Sequence, residues 1–285
     1  MSSKSPNLLS PRALAQAIGV SESSVKRWAD SGRIRIVKTS GGHRRIPVSE
    51  AARFVRDEGL ALVEPGLLGL VVAENPGQVE EPIEAALRRG SSTELRNLLA
   101  ARYLAGESLA ELFDGPLAKA MSQIGMTWRD SPDGILLEHR ATSAARDVLA
   151  HLGQLVPEPP LDAPVAVGGA IAGDPSQLPS MMAALVLMGE GMRVIDLGAN
   201  TPAAALALAA EAESARLAWL SVNHLGDPAA AAAEVVKLTS SLGSCRLIIG
   251  GARASEIDLG RGTLPMRGRT MAELAAFGAG LVSGK

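Results

Sequence analysis

Residues 8–32 read LLSPRALAQAIGVSESSVKRWADSG, and this stretch decides the fold of the first part of the chain. Ser10 stands before a proline at the first helical position, and Ser21 stands before a second run with apolar residues on one face. The pattern therefore predicts two short helices, each with a serine N-cap. Gly19 lies in the turn between them, and Gly32 ends the second helix. Two such helices indicate a helix-turn-helix, whose second helix enters the major groove of DNA.

A short basic ribbon follows the second helix. Residues 34–46 read IRIVKTSGGHRRI, where basic and apolar residues alternate, so we expect two strands joined at Gly41-Gly42. The ribbon would form a wing, and Val48 to Glu58 reads as a closing helix. We predict DNA contacts from the second helix and the wing, at Ser23, Ser24, Lys26, Arg27, Lys38, Thr39, His43, Arg44 and Arg45. The sequence leaves open whether Lys26 and Arg27 reach a base edge or only phosphate.

Formal charge is distributed unevenly along the chain. Residues 1–58 carry 11 Lys and Arg against 5 Asp and Glu, a formal +6, while the whole chain is −2, so the remainder is −8. A basic head on an acidic body is typical of a nucleic-acid reader joined to a regulatory part. Aromatic residues are only 2% of the chain, which argues against a stacking platform for single strands.

The first domain resembles the MerR family of transcription regulators. The resemblance rests on Gly-Val-Ser-x-x-x-Val-x-x-Trp, then Gly-x-Ile, then Thr-x-Gly-Gly-His-Arg-Arg, all within residues 19–45. It implies that a dimer or a larger assembly binds a partly palindromic operator in double-stranded DNA.

Composition excludes several other classes of protein. The chain contains no run of 18 apolar residues, so no membrane span is expected. Its first residues do not read as a secretory signal. A single cysteine, Cys245, rules out an internal disulfide, so a cytoplasmic location is expected. The chain has no HExxH or CxxC metal spacing, no P-loop and no nucleophile elbow, so we expect neither an enzyme nor a metal site.

The chain divides into several predicted domains. Hydrophobic residues make up 47% of its 285 residues, which is enough for more than one buried core. Four amphipathic helices are expected in the middle, at residues 79–89, 92–105, 108–127 and 135–155, and they predict a small bundle. The fold class is therefore multidomain: a MerR-type winged helix-turn-helix at 1–60, a linker at 61–78, a four-helix bundle at 79–156 and a Rossmann-like α/β domain at 161–285.

The bundle carries a further pattern. Trp128 precedes Glu138-His139 with nine residues between them. This spacing resembles the upper cap of CarH-type cobalamin-dependent repressors, which implies that Trp128 covers the corrin and that Glu138 and His139 contact its upper ligand. Arg129 stands where light-responsive members of that family carry a cobalt-binding histidine, which weighs against the same photochemistry.

Strand and helix patterns alternate in the last domain. Its continuous apolar strands predict a parallel sheet covered by helices on both faces, with ligands binding beyond the carboxyl ends of the strands. The predicted strands are residues 165–169, 193–197, 217–222 and 246–249. The predicted helices are residues 178–189, 202–214, 229–242 and 270–281.

Spacing in this domain resembles the cobalamin-binding fold, whose pattern is Asp-x-His-x-x-Gly, then Ser-x-Leu, then Gly-Gly. Asp174 is kept, but Ser176 takes the histidine position and Pro179 the glycine position. Ser221 matches the next element, Asn223 takes its leucine position, and Gly250 and Gly251 complete the pattern. In that family the histidine is the lower cobalt ligand, and a hydroxyl is a poor substitute for imidazole.

These departures shape the functional prediction. We expect a DNA-binding regulator, and specifically a repressor, whose sensory half has lost tight cobalamin binding and serves as an oligomerisation or partner-docking module. Base-on binding of cobalamin needs no protein histidine and stays open. A protein antirepressor could relieve DNA binding. Two alternatives are a sensor of cobalamin, another corrinoid or a tetrapyrrole beneath the cap residues, and a corrinoid carrier subunit of a methyltransferase.

Overall fold

A computed structural model of the chain describes residues 8–68, 81–127, 132–259 and 266–284. These residues fall into two units, with limits Met1–Pro157 and Glu158–Lys285. None of the helices in the described ranges has the length and apolarity needed to cross a membrane.

The first unit begins with a winged helix-turn-helix. Its elements are β1 Leu8–Leu9, α1 Pro11–Ala17, α2 Glu22–Asp30, β2 Val37–Lys38, β3 Arg44–Pro47 and α3 Val48–Asp57. The predicted caps are confirmed: Ser10 Oγ accepts from the Ala13 N–H, and Ser21 Oγ accepts from the Ser24 N–H. The strand order is β1-β3-β2, antiparallel. The sequence had not predicted β1, because two leucines before a helix cap carry no strand signal of their own.

A small apolar core joins these elements. Leu14 of α1, Val25 of α2, Ile34, Ile46 of β3 and Phe54 of α3 are all fully or almost fully buried. Apolar burial of this kind is the main favourable contribution to the stability of such a small domain.

The middle of the chain is helical, as predicted. Its elements are a short 3₁₀ helix Pro65–Leu68, α4 Glu81–Arg89, α5 Ser92–Leu104, α6 Leu109–Leu112, a π-helical turn Phe113–Leu117, α7 Ala118–Thr127 and α8 Pro132–Leu155. The helix predicted for residues 108–127 is therefore interrupted. Pro116 lies inside the π turn, and because proline has no N–H, the regular hydrogen-bond ladder cannot pass through it. The predicted start of the first bundle helix, Val79, lies outside the described residues.

The winged helix-turn-helix is joined to the bundle within the first unit. Helix α3 packs against α5 and α8. The Arg56 guanidinium lies 4.0 Å from the centroid of the Tyr103 ring, and it donates to the backbone carbonyls of Tyr103 and Glu107. An arginine on the last carbonyls of a helix satisfies acceptors that have no partner within the helix itself. Arg56 therefore fastens α3 to the carboxyl end of α5.

The second unit is a doubly wound α/β fold. Its elements are β4 Val165–Ala170, α9 Leu178–Gly189, β5 Arg193–Asp196, α10 Ala203–Ala212, β6 Leu217–Ser221, α11 Pro228–Ser241, β7 Arg246–Gly250, a 3₁₀ helix Ala254–Glu256, β8 Met266–Gly268 and α12 Met271–Val282. Within the described residues the strands are all parallel, in the order β5-β4-β6-β7-β8. The order reverses between β4 and β6, and ligands bind such sheets at that point.

Each face of the sheet has its own core. Helices α10 and α11 cover the side of Val167, Leu220 and Ile249, and α9 and α12 cover the side of Leu217 and Trp219. The predicted alternation of strands and helices is confirmed here. Helices cover both faces of the sheet, so each strand needs apolar residues on both of its sides. Two details differ. Pro202 is the N-cap of α10 and not its first helical residue. Strand β8 was not predicted, because Met266–Gly268 is too short to show an apolar run.

Candidate functional site

The amino end of α2 presents a cluster of small hydroxyls. Ser21 Oγ lies 2.8 Å from Ser23 Oγ and 2.9 Å from Ser24 Oγ. Arg27 Nη2 donates weakly to Ser24 Oγ at 3.4 Å, and Lys26 Nζ lies 2.8 Å from the Glu22 carboxylate. All four predicted contact residues of this helix are thus at least partly exposed on the outer side of α2. The inner side carries the buried Val25.

The wing is a tight turn between β2 and β3. The Thr39 N–H donates to the His43 carbonyl at 3.0 Å, and the Gly42 N–H donates to the Thr39 carbonyl at 2.8 Å. The Thr39 hydroxyl accepts from the His43 N–H at 3.2 Å. Gly42 has a φ of 75°, which glycine adopts without steric penalty. Thr39 therefore shapes the turn, while Lys38 and His43 are exposed.

Arg44 and Arg45 point to opposite sides of the wing. Lys38 pairs with Arg44 and Val37 pairs with Arg45 across the two strands. Because side chains alternate along a strand, neighbouring arginines cannot reach the same phosphate. Arg44 Nη1 instead lies 2.6 Å from Asp30 Oδ1, at the end of α2. The sequence placed both arginines at the tip but could not show that they diverge.

Trp28 packs the domain from within. Its ring centroid lies 5.0 Å from that of Phe54, and the Arg33 guanidinium lies 5.8 Å from each of the two centroids. The Trp28 ring is therefore a packing group between α2 and α3. It holds the second helix of the motif at a defined angle to the closing helix.

The cap pattern of the bundle is described only in part. Trp128 and Arg129 lie outside the described residues. Glu138 and His139 are on α8, where Glu138 Oε1 accepts from the Thr142 hydroxyl at 2.7 Å. His139 Nε2 lies 3.6 Å from Glu138 Oε2, and the His139 side chain is 74% exposed. The two residues therefore stand together on the outer surface of α8 within the first unit.

Asp174 is the central residue at the carboxyl edge of the sheet. It follows β4, and its side chain is 0% exposed. Oδ1 accepts from the Ser176 N–H at 2.8 Å, and Oδ2 accepts from the Asn223 N–H at 2.6 Å. Asn200, after β5, donates its N–H to the Asp174 carbonyl at 2.9 Å and accepts from the Gly173 N–H at 2.7 Å. Asp174 thus ties the loops after β4, β5 and β6 together.

Asn223 continues this network to β7. Its Nδ2 donates to Ser221 Oγ at 2.8 Å, and its Oδ1 accepts from the Ala252 N–H at 3.1 Å. A Cβ at Gly251 would lie 2.4 Å from the Val222 carbonyl oxygen, so only glycine lets the two loops approach this closely. Gly250 ends β7 opposite Ser221. The amide in the family's leucine position therefore lines no apolar slot, and it clamps the loops after β6 and β7.

Ser176, which the sequence pattern assigns to the histidine position, has its backbone N–H held by Asp174. A carboxylate that orients a metal-bound histidine accepts from the ring N–H. Here both carboxylate oxygens of Asp174 accept from backbone N–H groups instead, 2.8 Å and 2.6 Å away. Ser176 offers a hydroxyl and no imidazole, so the donor chemistry of these residues does not fit a corrinoid held through a protein histidine.

A second polar chain in this unit was not anticipated from the sequence. Trp219 Nε1 donates to Ser180 Oγ at 3.1 Å, and the Ser180 hydroxyl donates to Asp196 Oδ1 at 2.7 Å. The Trp219 ring lies against Gly168, where an added Cβ would be 2.0 Å from the ring. Trp219 and Ser221 are two residues apart on β6 and share a face of the sheet. The space beside Ser221 on that face is thus occupied by an indole ring.

Other reactive side chains show no organised site. In the described ranges, no group of three or more His, Cys, Asp or Glu residues is arranged to hold a metal ion. Burial raises the pKa of the Cys245 thiol to about 11, so it is almost entirely protonated near neutral pH. Cys245 is therefore a small, largely apolar residue beside β7.

Comparison with protein families identifies the first domain. Residues 8–58 match the family model described as Helix-turn-helix domain. The N-terminal domain is a DNA-binding helix-turn-helix. Because the match covers only these residues, it gives no family for the chain as a whole. No curated protein sequence matches the chain.

Solved structures extend the comparison to the fold of the second unit. The Methanosarcina barkeri monomethylamine corrinoid protein is 16% identical, with a TM-score of 0.52, covering 70% of this chain and 97% of that one. This similarity supports a C-terminal α/β fold like that of cobalamin-binding domains. The methanol:cobalamin methyltransferase complex MtaBC of Methanosarcina barkeri is 17% identical, with a TM-score of 0.36 over 74% and 82% of the two chains. A cobalamin-binding protein of Desulfitobacterium hafniense DCB-2 is 13% identical, with a TM-score of 0.32 over 70% and 96%.

Proposed function

We propose that this protein is a sequence-specific transcription regulator of the MerR and CarH type, acting as a repressor and without enzymatic activity. One observation carries the proposal: α2 and the wing present Lys26, Arg27, Lys38 and Arg45 at least partly exposed beside a hydroxyl-rich helix start. Cations next to a recognition helix supply phosphate contacts, which give affinity, while the helix supplies base contacts. A cytoplasmic dimer or larger oligomer on a partly palindromic operator is part of the same proposal.

The wing arginines provide the direct test of DNA binding. We expect the double variant Arg44→Gln, Arg45→Gln to bind duplex DNA more weakly at every sequence and to flatten the salt slope by about one to two units. The reason is that the two side chains point to opposite sides and so meet different phosphates. The measurement is a titration of labelled duplex DNA at several salt concentrations. Glu94→Gln, on bundle helix α5, is the control for surface changes. An unchanged slope would contradict the wing assignment.

The sensory half is proposed to have lost tight cobalamin binding. Ser176 supplies a hydroxyl where the pattern of the related fold has imidazole, so Asp174 has no ring N–H to orient and accepts from two backbone N–H groups. Loss of a ligand and of the group that orients it each weaken a metal site. The unit then serves as an oligomerisation module, or as a docking module for a protein antirepressor.

Desalting tests this loss. We expect purified protein mixed in the dark with adenosylcobalamin or hydroxocobalamin to lose all corrin absorbance on desalting. Ser176→His alone should not restore retention, because Asn223 still clamps the loops after β6 and β7 at this edge of the sheet. Corrin retained by the wild-type chain would show that the missing histidine has been bypassed, as in base-on binding. Retention by Ser176→His alone would show that only the ligand is missing and that the pocket is intact.

A second candidate is a sensor of another corrinoid or a tetrapyrrole. Its support is the cobalamin-type fold, together with Glu138 and His139 standing side by side on α8. Retention of a tetrapyrrole or a truncated corrinoid in the same desalting assay would favour it over the loss of sensing. A corrinoid carrier subunit of a methyltransferase is a weaker candidate, because the helix-turn-helix has no role in carrying a methyl group. Methyl transfer by a chain that fails to bind DNA would revive it.

A further inference from the structure

The carboxylate of Asp30 occupies an unusual place for an acidic side chain. Asp30 is the last residue of α2, and its side chain is 60% exposed. The carboxyl end of a helix carries partial negative charge, so an acid there is disfavoured by the helix itself. Glu22 differs, because it lies in the first turn, where a carboxylate is favoured whether or not Lys26 pairs with it. Helix stability therefore explains Glu22 but does not explain Asp30.

The partner of Asp30 is a predicted DNA contact. Arg44 Nη1 lies 2.6 Å from Asp30 Oδ1, and the Arg44 side chain is 37% exposed. On the wing, Arg44 stands directly opposite Lys38. Like charges in directly opposed strand positions repel each other. In the free protein, the Asp30 carboxylate pairs with Arg44, one of these two opposed cations. Without Asp30, both cations would be free to meet a DNA phosphate.

We infer that Asp30 competes with a DNA phosphate for Arg44 and so restrains binding of the wing to DNA. This inference rests on the proposed function. Exposed ion pairs are weak, so the Asp30 carboxylate and a DNA phosphate exchange at Arg44, and each holds the guanidinium for part of the time. This competition for Arg44 is the same at every DNA sequence. Asp30 therefore lowers the sequence-independent part of the affinity, and the base contacts of α2 contribute a larger share of what remains.

The test is Asp30→Asn in the full chain, titrated with labelled duplex DNA of random sequence between about 50 and 200 mM salt. We expect tighter binding at low salt and a salt slope steeper by up to about 0.9, the limit set by one phosphate fully neutralised by Arg44. The advantage over wild type should then shrink by up to roughly threefold across that range. Unchanged or weaker binding would overturn the inference. Weaker binding would mean that Asp30 holds Arg44 in position for its contact with DNA.

Two further variants separate competition for Arg44 from a general change in charge. Glu94→Gln makes the same change in net charge, and Glu94 also pairs with an arginine, Arg89, at 2.8 Å, but in the bundle. We expect it to leave the salt slope unchanged. In an Arg44→Gln background, the gain from Asp30→Asn should largely disappear. An equal gain from Glu94→Gln, or an undiminished gain without Arg44, would overturn competition at this pair.

Wild-type binding distinguishes this inference from the proposal beneath it. If the wild-type chain binds no duplex DNA at low salt, the proposed function fails. If it binds and Asp30→Asn binds no more tightly, the proposed function stands and the role given to Asp30 fails.

Discussion

Replacing Asp174 by alanine should lower the free energy of unfolding of the second unit by about 3–5 kcal/mol. The carboxylate is 0% exposed and accepts two short hydrogen bonds, from the N–H groups of Ser176 and Asn223. Hydrogen bonds to a charged group contribute about 1.5–3 kcal/mol each, and both donors lose their partner in the variant. The loops after β4 and β6 would lose their side-chain link, while the bond from the Asn200 N–H to the Asp174 backbone carbonyl would remain.

Asp227→Ala is the matched control for this prediction. Asp227 also accepts from two backbone N–H groups, those of Ala229 and Ala230, but it is an exposed N-cap of α11. Loss of such a cap costs about 1 kcal/mol. Asp174→Asn should fall between the two, because an amide oxygen can replace only one of the two acceptor oxygens.

Hydrogen exchange measures the effect without requiring the whole chain to unfold in one step. Peptides from β4 and β6 report the second unit, and peptides from α5 and α8 report the first. We expect Asp174→Ala to lower protection strongly in β4 and β6 only. A loss of protection no greater than that of Asp227→Ala would show that burial adds nothing to the role of this carboxylate.

Local sequence signals were sufficient for much of the secondary structure. Ser10 and Ser21 each stand where a side-chain oxygen caps a helix, and the structure confirms both caps. A cap depends on residues only two or three positions away, so its signal is contained in a short stretch of sequence. The alternation of apolar strands and helices in the second unit is of the same local kind.

Contacts between distant residues were beyond the sequence. Asp174 and Asn223 are 49 residues apart, and the motif assigned Asp174 to a kept position and Asn223 to a changed one. The fold brings them together and gives each a structural role. The Arg44–Asp30 pair is similar, because nothing local indicates which of the wing cations meets the end of α2. Trp219 lies over Gly168 only because β4 and β6 pair in that register.

Short irregular elements were missed for a different reason. Strand β8 and the π-helical turn Phe113–Leu117 are too short for a repeating apolar pattern to form. Pro116 was visible in the sequence and does indicate a break, but the amphipathic pattern on either side of it favoured one continuous helix. The helical segments on either side of the π turn pack so that the amphipathic pattern continues across it.

Replacing Glu50 by alanine should destabilise the winged helix-turn-helix by about 3–5 kcal/mol and weaken DNA binding with it. Glu50 is only 5% exposed in α3, and its carboxylate accepts from the Arg35 N–H at 2.8 Å. Arg53 donates to it twice, at 3.0 and 2.6 Å, and also donates to the Arg33 carbonyl at 2.8 Å. The hydrogen bond and charge of Glu50 raise the pKa of Arg53, so the guanidinium stays charged near neutral pH.

This pair, with Glu50 buried and Arg53 partly exposed, holds the segment that leads from α2 to the wing. Without Glu50, the Arg35 N–H and part of the Arg53 guanidinium lose their acceptor in a place where water replaces it poorly. The angle between the recognition helix and the wing depends on that segment, so their DNA contacts should no longer match one duplex. Glu50→Gln keeps an acceptor for the Arg35 N–H and should lose less stability.

Glu58→Ala provides the contrast that decides the point. Glu58 follows α3 and pairs with Arg33 at 2.7 Å, but both side chains are at least one-third exposed. An exposed pair contributes about 0–1 kcal/mol. The measurement is pulse proteolysis in increasing urea, with cleavage followed within residues 8–58. The urea midpoint should shift strongly for Glu50→Ala and almost not at all for Glu58→Ala. Equal shifts would mean that the Glu50 carboxylate contributes no more than a surface ion pair, and the wing would have to be positioned by apolar packing around Phe54 alone.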